Sequence, residues 1–224
     1  MTEAELEELI GDCPTLFHMA QAGSWPAIAQ RGLLSTTALL DLYRIGGPDR
    51  EAIEGERRAA CIVVERAGLP RAVIRDQIPM TDAGLLRALP EHLSPSDWYR
   101  TLNRKVFFWL TRERLLTLLS AGAYRNDPHD VLEVHTALLV AAYRQQIWFC
   151  PINSGCTKPM PHPRDETAFR RIPDYPYNEW RRKRRRGERV VELAVDYGVP
   201  DIVNFVCRVV RMQRDQEQQI IFKA

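Results

Sequence analysis

Short β-rich runs alternate irregularly with short amphipathic segments along this chain, and that alternation limits its fold more than any other feature. Leu16-Phe17-His18-Met19, Val106-Phe107-Phe108-Trp109-Leu110, Val131-Leu132-Glu133-Val134-His135, Ile147-Trp148-Phe149-Cys150-Pro151-Ile152 and Val190-Val191-Glu192-Leu193-Ala194-Val195 are strand-length. They are rich in the β-branched and aromatic residues that suit a pleated, half-buried surface. Residues 71–76 form a weaker run of the same kind. The intervening segments read as helices. This pattern predicts an α+β architecture, a single domain over residues 1–224 with a central mixed sheet and flanking helices. No internal repeat and no linker divides the chain. Its 224 residues, 45% of them hydrophobic, suffice for a buried core.

Local punctuation places the helices. Residues 3–10 read as a short amphipathic helix. Residues 24–31 read as another, with Ser24 as N-cap, Pro26 in the first turn and Gly32 at the C-terminal glycine position. Residues 35–44 and 49–67 read as helices, the second with Ala59, Ala60, Ile62 and Val63 on its apolar side. Thr81, Ser94, Thr111 and Thr136 stand where N-caps belong, for helices running to Ala88, Arg104, Ala121 and Tyr143. Residues 153–180 hold five prolines and little periodicity, so they read as a loop. Residues 200–211 read as a short helix or a strand pair, and the tail from Gln213 as polar before Ile220-Ile221-Phe222.

Net charge is only +2 but unevenly placed: between Arg164 and Arg189 ten Lys/Arg stand against five Asp/Glu. A basic segment of that kind says more about partners than the total does. The five cysteines have no paired spacing, which argues against a disulfide framework. Cys150, Cys156 and His162 are irregularly spaced in a proline-rich stretch, so free thiols and no metal are expected. The acidic start of the chain lacks the basic region of a secretion signal. Apolar stretches such as residues 137–143 fall far short of the ~20 residues of a membrane helix. A cytoplasmic protein with no membrane contact is expected.

Two ionisable residues stand alone in apolar strands, His18 and Glu192. A carboxylate can stabilise the positive charge that develops on a sugar as its glycosidic bond breaks, and can hold a sugar hydroxyl. An imidazole can donate a hydrogen bond to the same sugar. The competing readings are a solvent-facing edge Glu and a structural His near a helix start. If strand alternation holds, Glu192 shares a face with Val190 and Ala194. Ser35, Thr36 and Thr37 can touch a ligand or cap the next helix. Arg75 and Asp76 can reach a phosphate or pair at the surface; Asn103 and Arg104 are similar candidates. Phe107, Phe108 and Trp109 suit a core or a stacking shelf. Asn153-Ser154-Gly155 can line a cleft or form a plain turn. The six basic residues Arg181 to Arg186 suit a phosphate backbone, and Tyr175, Tyr177 and Trp180 just upstream can stack on an unpaired base. The alternative there is a solvated loop end.

The order of a strand with His18, a helix, the Gly32-Leu33 turn and a late strand with Glu192 resembles the ADP-ribosyltransferase fold. The chain is most similar to the DarT-like enzymes that modify nucleic acid, and to an uncharacterised bacterial family with that core. The resemblance spans about Leu16 to Val210. It rests on Leu16 to Met19 with Ile28 to Leu33, Val106 to Leu116, Val131 to Ile152 with Asn153-Ser154-Gly155, and Val191 to Ile202. It implies NAD as cofactor, with His18 on the ribose and nicotinamide side and Glu192 as the catalytic glutamate. Gly32, Ser35, Arg75, Phe108 and Ser154 would surround the cofactor, with one of Phe107, Phe108 and Trp109 as the nicotinamide shelf. Tyr177, Trp180, Arg181, Arg182, Lys183 and Arg184 would read the acceptor, DNA or RNA. By analogy, a toxin or defence role follows, with an inhibitory partner protein. One departure matters: arginine-modifying members carry a second Glu two positions before the catalytic one, where this chain has Val190. That disfavours protein arginine as the acceptor. The rival expectations are a non-enzymatic nucleic-acid-binding protein and an NAD-dependent RNA 2′-phosphotransferase, for which no convincing pair of arginines aligns.

Overall fold

The computed structural model describes residues 1–224. The helices are α1 (Glu3–Asp12), α2 (Trp25–Arg31), α3 (Thr36–Tyr43), α4 (Gly47–Gly55), α5 (Asp82–Leu86), α6 (Pro95–Asn103), α7 (Arg112–Leu119), α8 (Thr136–Tyr143) and α9 (Tyr177–Lys183). The strands are β1 (Thr15–Gln21), β2 (Leu33–Leu34), β3 (Ile62–Val64), β4 (Ala72–Ile74), β5 (Lys105–Trp109), β6 (His129–His135), β7 (Ile147–Cys150), β8 (Arg170–Arg171), β9 (Glu192–Asp196), β10 (Gly198–Val199), β11 (Val206–Gln213) and β12 (Gln216–Lys223).

The α+β expectation holds, but the sheet is not mixed. Eight strands in the order β12-β11-β6-β1-β5-β9-β7-β8 pair antiparallel throughout. The helices between strands are excursions after which the chain returns antiparallel, not the crossovers that parallel neighbours require. The sheet draws strands from Thr15 to Lys223, so the whole chain closes on one framework.

Its two halves are weakly joined. β1 pairs with β6 at seven consecutive positions and β5 with β9 at five, whereas β1 meets β5 only where Phe17 lies opposite Trp109. Beyond that point the two central strands diverge. One face of the sheet carries the main core, in which Leu16, Phe108, Val134, Phe149, Leu193 and Val195 are packed together. On the other face α7 covers one half through Leu115 and Leu119, packed on Phe17, Val131 and Val210. There α6 covers the second half through Trp98, Tyr99 and Leu102, packed with Cys150 and Ala194. Between them α3, α4 and the β3–β4 hairpin share a small core of Leu40, Tyr43, Ile53, Val64 and Ile74.

Most element positions follow the sequence reading. Three differ. The helix expected over 49–67 ends at Gly55, and the β-branched Ile62-Val63-Val64 pairs with Ala72–Ile74 instead, where crowded χ1 rotamers are easier to hold. Residues 177–183, expected within a loop, form α9. The polar tail forms β12, an edge strand whose first five residues are exposed, so no alternating apolar pattern marks it. Among the caps, the Ser35, Thr81, Ser94 and Thr111 side chains accept from Ala38, Gly84, Asp97 and Arg114 N–H groups. Ser24 makes no such bond, and Thr136 lies one residue inside α8, its hydroxyl donating to the Cys13 carbonyl.

Gly32 closes α2 at φ 87°, ψ 169°, a region essentially reserved for glycine. A Cβ there would stand 2.4 Å from the Pro200 Cα. Gly32→Ala is therefore expected to cost at least about 1–3 kcal/mol, seen as a lower urea midpoint. Gly11→Ala, on α1 with nothing within 4 Å of its Cβ, should leave the midpoint unchanged or slightly raised.

Candidate functional site

A cavity of about 330 Å³ opens where β1 and β5 part, within the size range of small-molecule sites. The sheet forms its floor, the α3–β4 segment covers it, and the loop after β7 closes one end. His18, Gly32, Ser35, Arg75, Ser154 and Glu192 all line it, although they are scattered from one end of the chain to the other.

His18 has the strand parity of Leu16 and Ala20, yet its ring sits in the gap. Its Nδ1 lies 2.8 Å from the Phe107 carbonyl oxygen on β5. A carbonyl only accepts, so Nδ1 carries the proton and Nε2 keeps its lone pair. Burial drives the imidazole pKa down to about 4, with the Arg75 cation adding to the effect against the Phe107 hydrogen bond. His18 is therefore neutral at pH 7 and offers the cavity an acceptor, not the donor expected from sequence.

Glu192 opens β9 and is 4% exposed. Both carboxyl oxygens lie 3.2 Å from the Ser154 N–H. Burial raises its pKa to about 7, against the lowering effects of Ser154, Arg164 and Arg114. Ser154 belongs to a turn that is also a cavity wall, so both readings of Asn153-Ser154-Gly155 hold. Its carbonyl accepts from Trp98 Nε1 at 3.2 Å and from Arg164 at 2.8 Å.

Arg75 donates to His129 Nδ1 at 3.1 Å, which leaves Nε2–H of His129 to donate to the Tyr124 carbonyl. The Arg75 guanidinium also stacks over Tyr124 and lies 3.6 Å from Asp76, so it is held at the cavity wall. Ser35 lines the cavity while its hydroxyl caps α3, which leaves it less free for a ligand.

Other expected residues lie elsewhere. Phe108 is 1% exposed in the main core, because alternation along β5 turns it away. Phe107 and Trp109 face the cavity instead. Val190 precedes the regular strand and also packs in the main core, on the side away from Ala194. None of Tyr177, Trp180, Arg181, Arg182, Lys183 and Arg184 lines the cavity. Tyr177 is 1% exposed and packs in the core, so it cannot stack on a base. Trp180 packs against that core with Arg184 4.2 Å from its ring centroid. Arg181, Arg186 and Arg189 pair with Glu8 and Asp12 of α1, and Arg185 pairs with Glu113. Only Arg182 and Lys183 of the run have neither an ion pair nor a hydrogen bond to the protein.

Two basic residues at the cavity, Arg58 and Lys105, escaped the sequence reading. Arg58 is buried and donates to the Asn103 side chain and to the Ile53 and Arg75 carbonyls, tying the cover to the end of α6. Lys105 donates to Asp196 at 2.6 Å, and its ammonium lies 4.7 Å from the Trp148 ring centroid. Arg58 lay in a presumed helix. For Lys105, the odd-position parity of β5 was the available signal.

Residues 14–206 match the model of a family of unknown function, DUF7002, and the chain belongs to that family. No curated protein and no solved structure matches the chain. No helix is long and apolar enough to cross a membrane.

The two ionisable residues make opposite pH demands. His18 titrates near 4 folded and 6.5 unfolded, so its contribution to stability rises with pH across that window. Glu192 titrates near 7 folded and 4.5 unfolded, so its contribution falls as pH rises across that one. Removing Glu192 should unmask the His18 slope. The stability of Glu192→Gln relative to wild type should climb by about 3 kcal/mol from pH 4.5 to 7, measured by urea unfolding at each pH. A pH-independent difference would contradict the burial of an ionisable carboxyl.

Proposed function

We propose that this protein is an NAD-dependent ADP-ribosyltransferase whose acceptor is a nucleic acid. The observation that carries the reading is the meeting of His18 and Glu192, from the two halves of the split sheet, in one cavity. The donor set suits a ribosyl ligand. His18 Nε2 has no hydrogen-bond partner in the protein and accepts from a ribose hydroxyl. The Phe107 and Trp109 rings give an aromatic flank in place of Phe108.

Bound NAD supplies a nicotinamide–ribose bond whose cleavage places positive charge on the sugar. Glu192, titrating near 7, is ionised in a large fraction of molecules at neutral pH and stabilises that charge in a site shielded from water. The same pKa suits it to take a proton from the acceptor. The fixed Nδ1–H tautomer holds the His18 acceptor atom in place without reorganisation.

Arg184 donates to the Pro151 carbonyl, at the start of the loop that carries Asn153 and Ser154 to the cavity. A phosphate backbone held by Arg182 and Lys183 would therefore approach the site along that loop. The rival reading, nucleic-acid binding without catalysis, draws on the position of α9 outside the cavity.

Nicotinamide release from NAD, with and without single-stranded DNA or RNA, separates the two. Release is expected to need nucleic acid and to drop at least ~100-fold in Glu192→Gln. The Arg182→Ser, Lys183→Ser double variant is expected to weaken nucleic-acid binding and reduce its salt slope by about 1.4. Nucleic-acid binding with no release under any condition would favour the rival.

A further inference from the structure

We propose that Arg164 is a positioning residue for Glu192, clamping the Ser154 carbonyl so that the N–H on the other side of the same Cα is aimed at the Glu192 carboxylate. Its catalytic consequence rests on the transferase reading; its effect on the carboxyl does not.

Arg164 is 3% exposed and has no carboxylate within ion-pair distance. A buried guanidinium without such a partner is costly unless its donors are used. Here they meet three backbone carbonyls of its own loop: Nε to His162 at 3.0 Å, one terminal nitrogen to Ser154 at 2.8 Å and the other to Cys156 at 2.9 Å. The Arg164 N–H anchors the loop end on the Ala88 carbonyl. The guanidinium lies over the Trp98 ring, 5.6 Å from its centroid, and Trp98 Nε1 donates to the same Ser154 carbonyl. That oxygen is thus held by two fixed donors. Pro and polar residues from Asn153 to Arg164 give the loop no regular structure of its own, so these bonds set where Ser154 points.

The groups that face Glu192 are few. Cys150 stands beside it on β7 as a neutral thiol, raised well above its usual range by burial. Arg114 approaches from α7, but its charge is already matched by Glu188. Arg164 is left as the nearby cation with no carboxylate of its own. It therefore acts on Glu192 twice, by aiming a hydrogen bond and by favouring the ionised form.

The test follows the carboxyl ¹³C shifts of glutamate-labelled protein against pH, with the Glu192 signal identified by its loss in Glu192→Gln. In Arg164→Gln the Glu192 midpoint should rise by about one unit. In Trp98→Phe, which keeps an aromatic ring beside the guanidinium but removes one donor, it should rise by less. Arg164→Lys should fall between wild type and Arg164→Gln. In the nicotinamide-release assay the acid limb of the pH profile should move up equally, with kcat reduced and KM for NAD unchanged. Unchanged midpoints in Arg164→Gln and Arg164→Lys would reduce Arg164 to a loop staple. If Arg164→Gln does not fold, Arg164→Lys decides: a raised midpoint supports the proposal and an unmoved one overturns it. A wild type that releases no nicotinamide would sink the transferase reading while the titration still decides the role of Arg164.

Discussion

One hydrogen bond stands where a strand ladder would otherwise continue. β1 and β5 touch at Phe17 and Trp109 and then part, which leaves carbonyls at the middle of a sheet without strand partners. A buried carbonyl left unpaired costs about 1–3 kcal/mol. The His18 side chain answers for Phe107 by donating from Nδ1. The same bond fixes the tautomer, presents Nε2 to the gap and lets the two sheet halves stay apart without exposing the core. The cavity, its cover and the environment of Glu192 all depend on that separation.

Once the halves are separate, each recruits its own helix on the cavity side, α7 on one and α6 on the other. The space between is closed by a segment with its own small core and a buried Arg58–Asn103 contact that binds it to the end of α6. Glu192 lies at the bottom of this arrangement, where exclusion of water raises its pKa and the Ser154 N–H limits the rise. Neutral imidazole and half-titrated carboxyl come from one cause, burial, acting with opposite sign on a base and an acid.

The parts that could be read in advance share a local origin. Strand runs such as Ile147–Cys150, caps such as Ser94 and the positive-φ close at Gly32 are set by nearest neighbours, and they appear where composition places them. His18 and Glu192 were visible as lone ionisable residues in apolar strands. The misses have a non-local origin. Phe108 and Phe107 are identical residues, and only the partner strand decides which one faces the gap. Arg181, Arg185 and Arg186 read as a bare basic run because Glu8, Asp12 and Glu113, which pair with them, lie far away in sequence. Gln216–Lys223 is hard to read as a strand because its first five side chains face water, and only Ile221 and Phe222 near its end pack on the core.

The chain by itself determined the class of the fold, the placement of most strands and helices, and the presence of two ionisable groups in apolar surroundings, because these depend on side-chain branching, periodicity and capping over a few residues. Only the tertiary structure decided that the sheet is antiparallel and split, that the imidazole presents an acceptor to the cavity, that Arg58 and Arg164 are buried and Lys105 half-buried near the cavity, and that half of the basic run is paired with acidic neighbours. Each of those depends on which distant groups meet, and on how little water remains between them when they do.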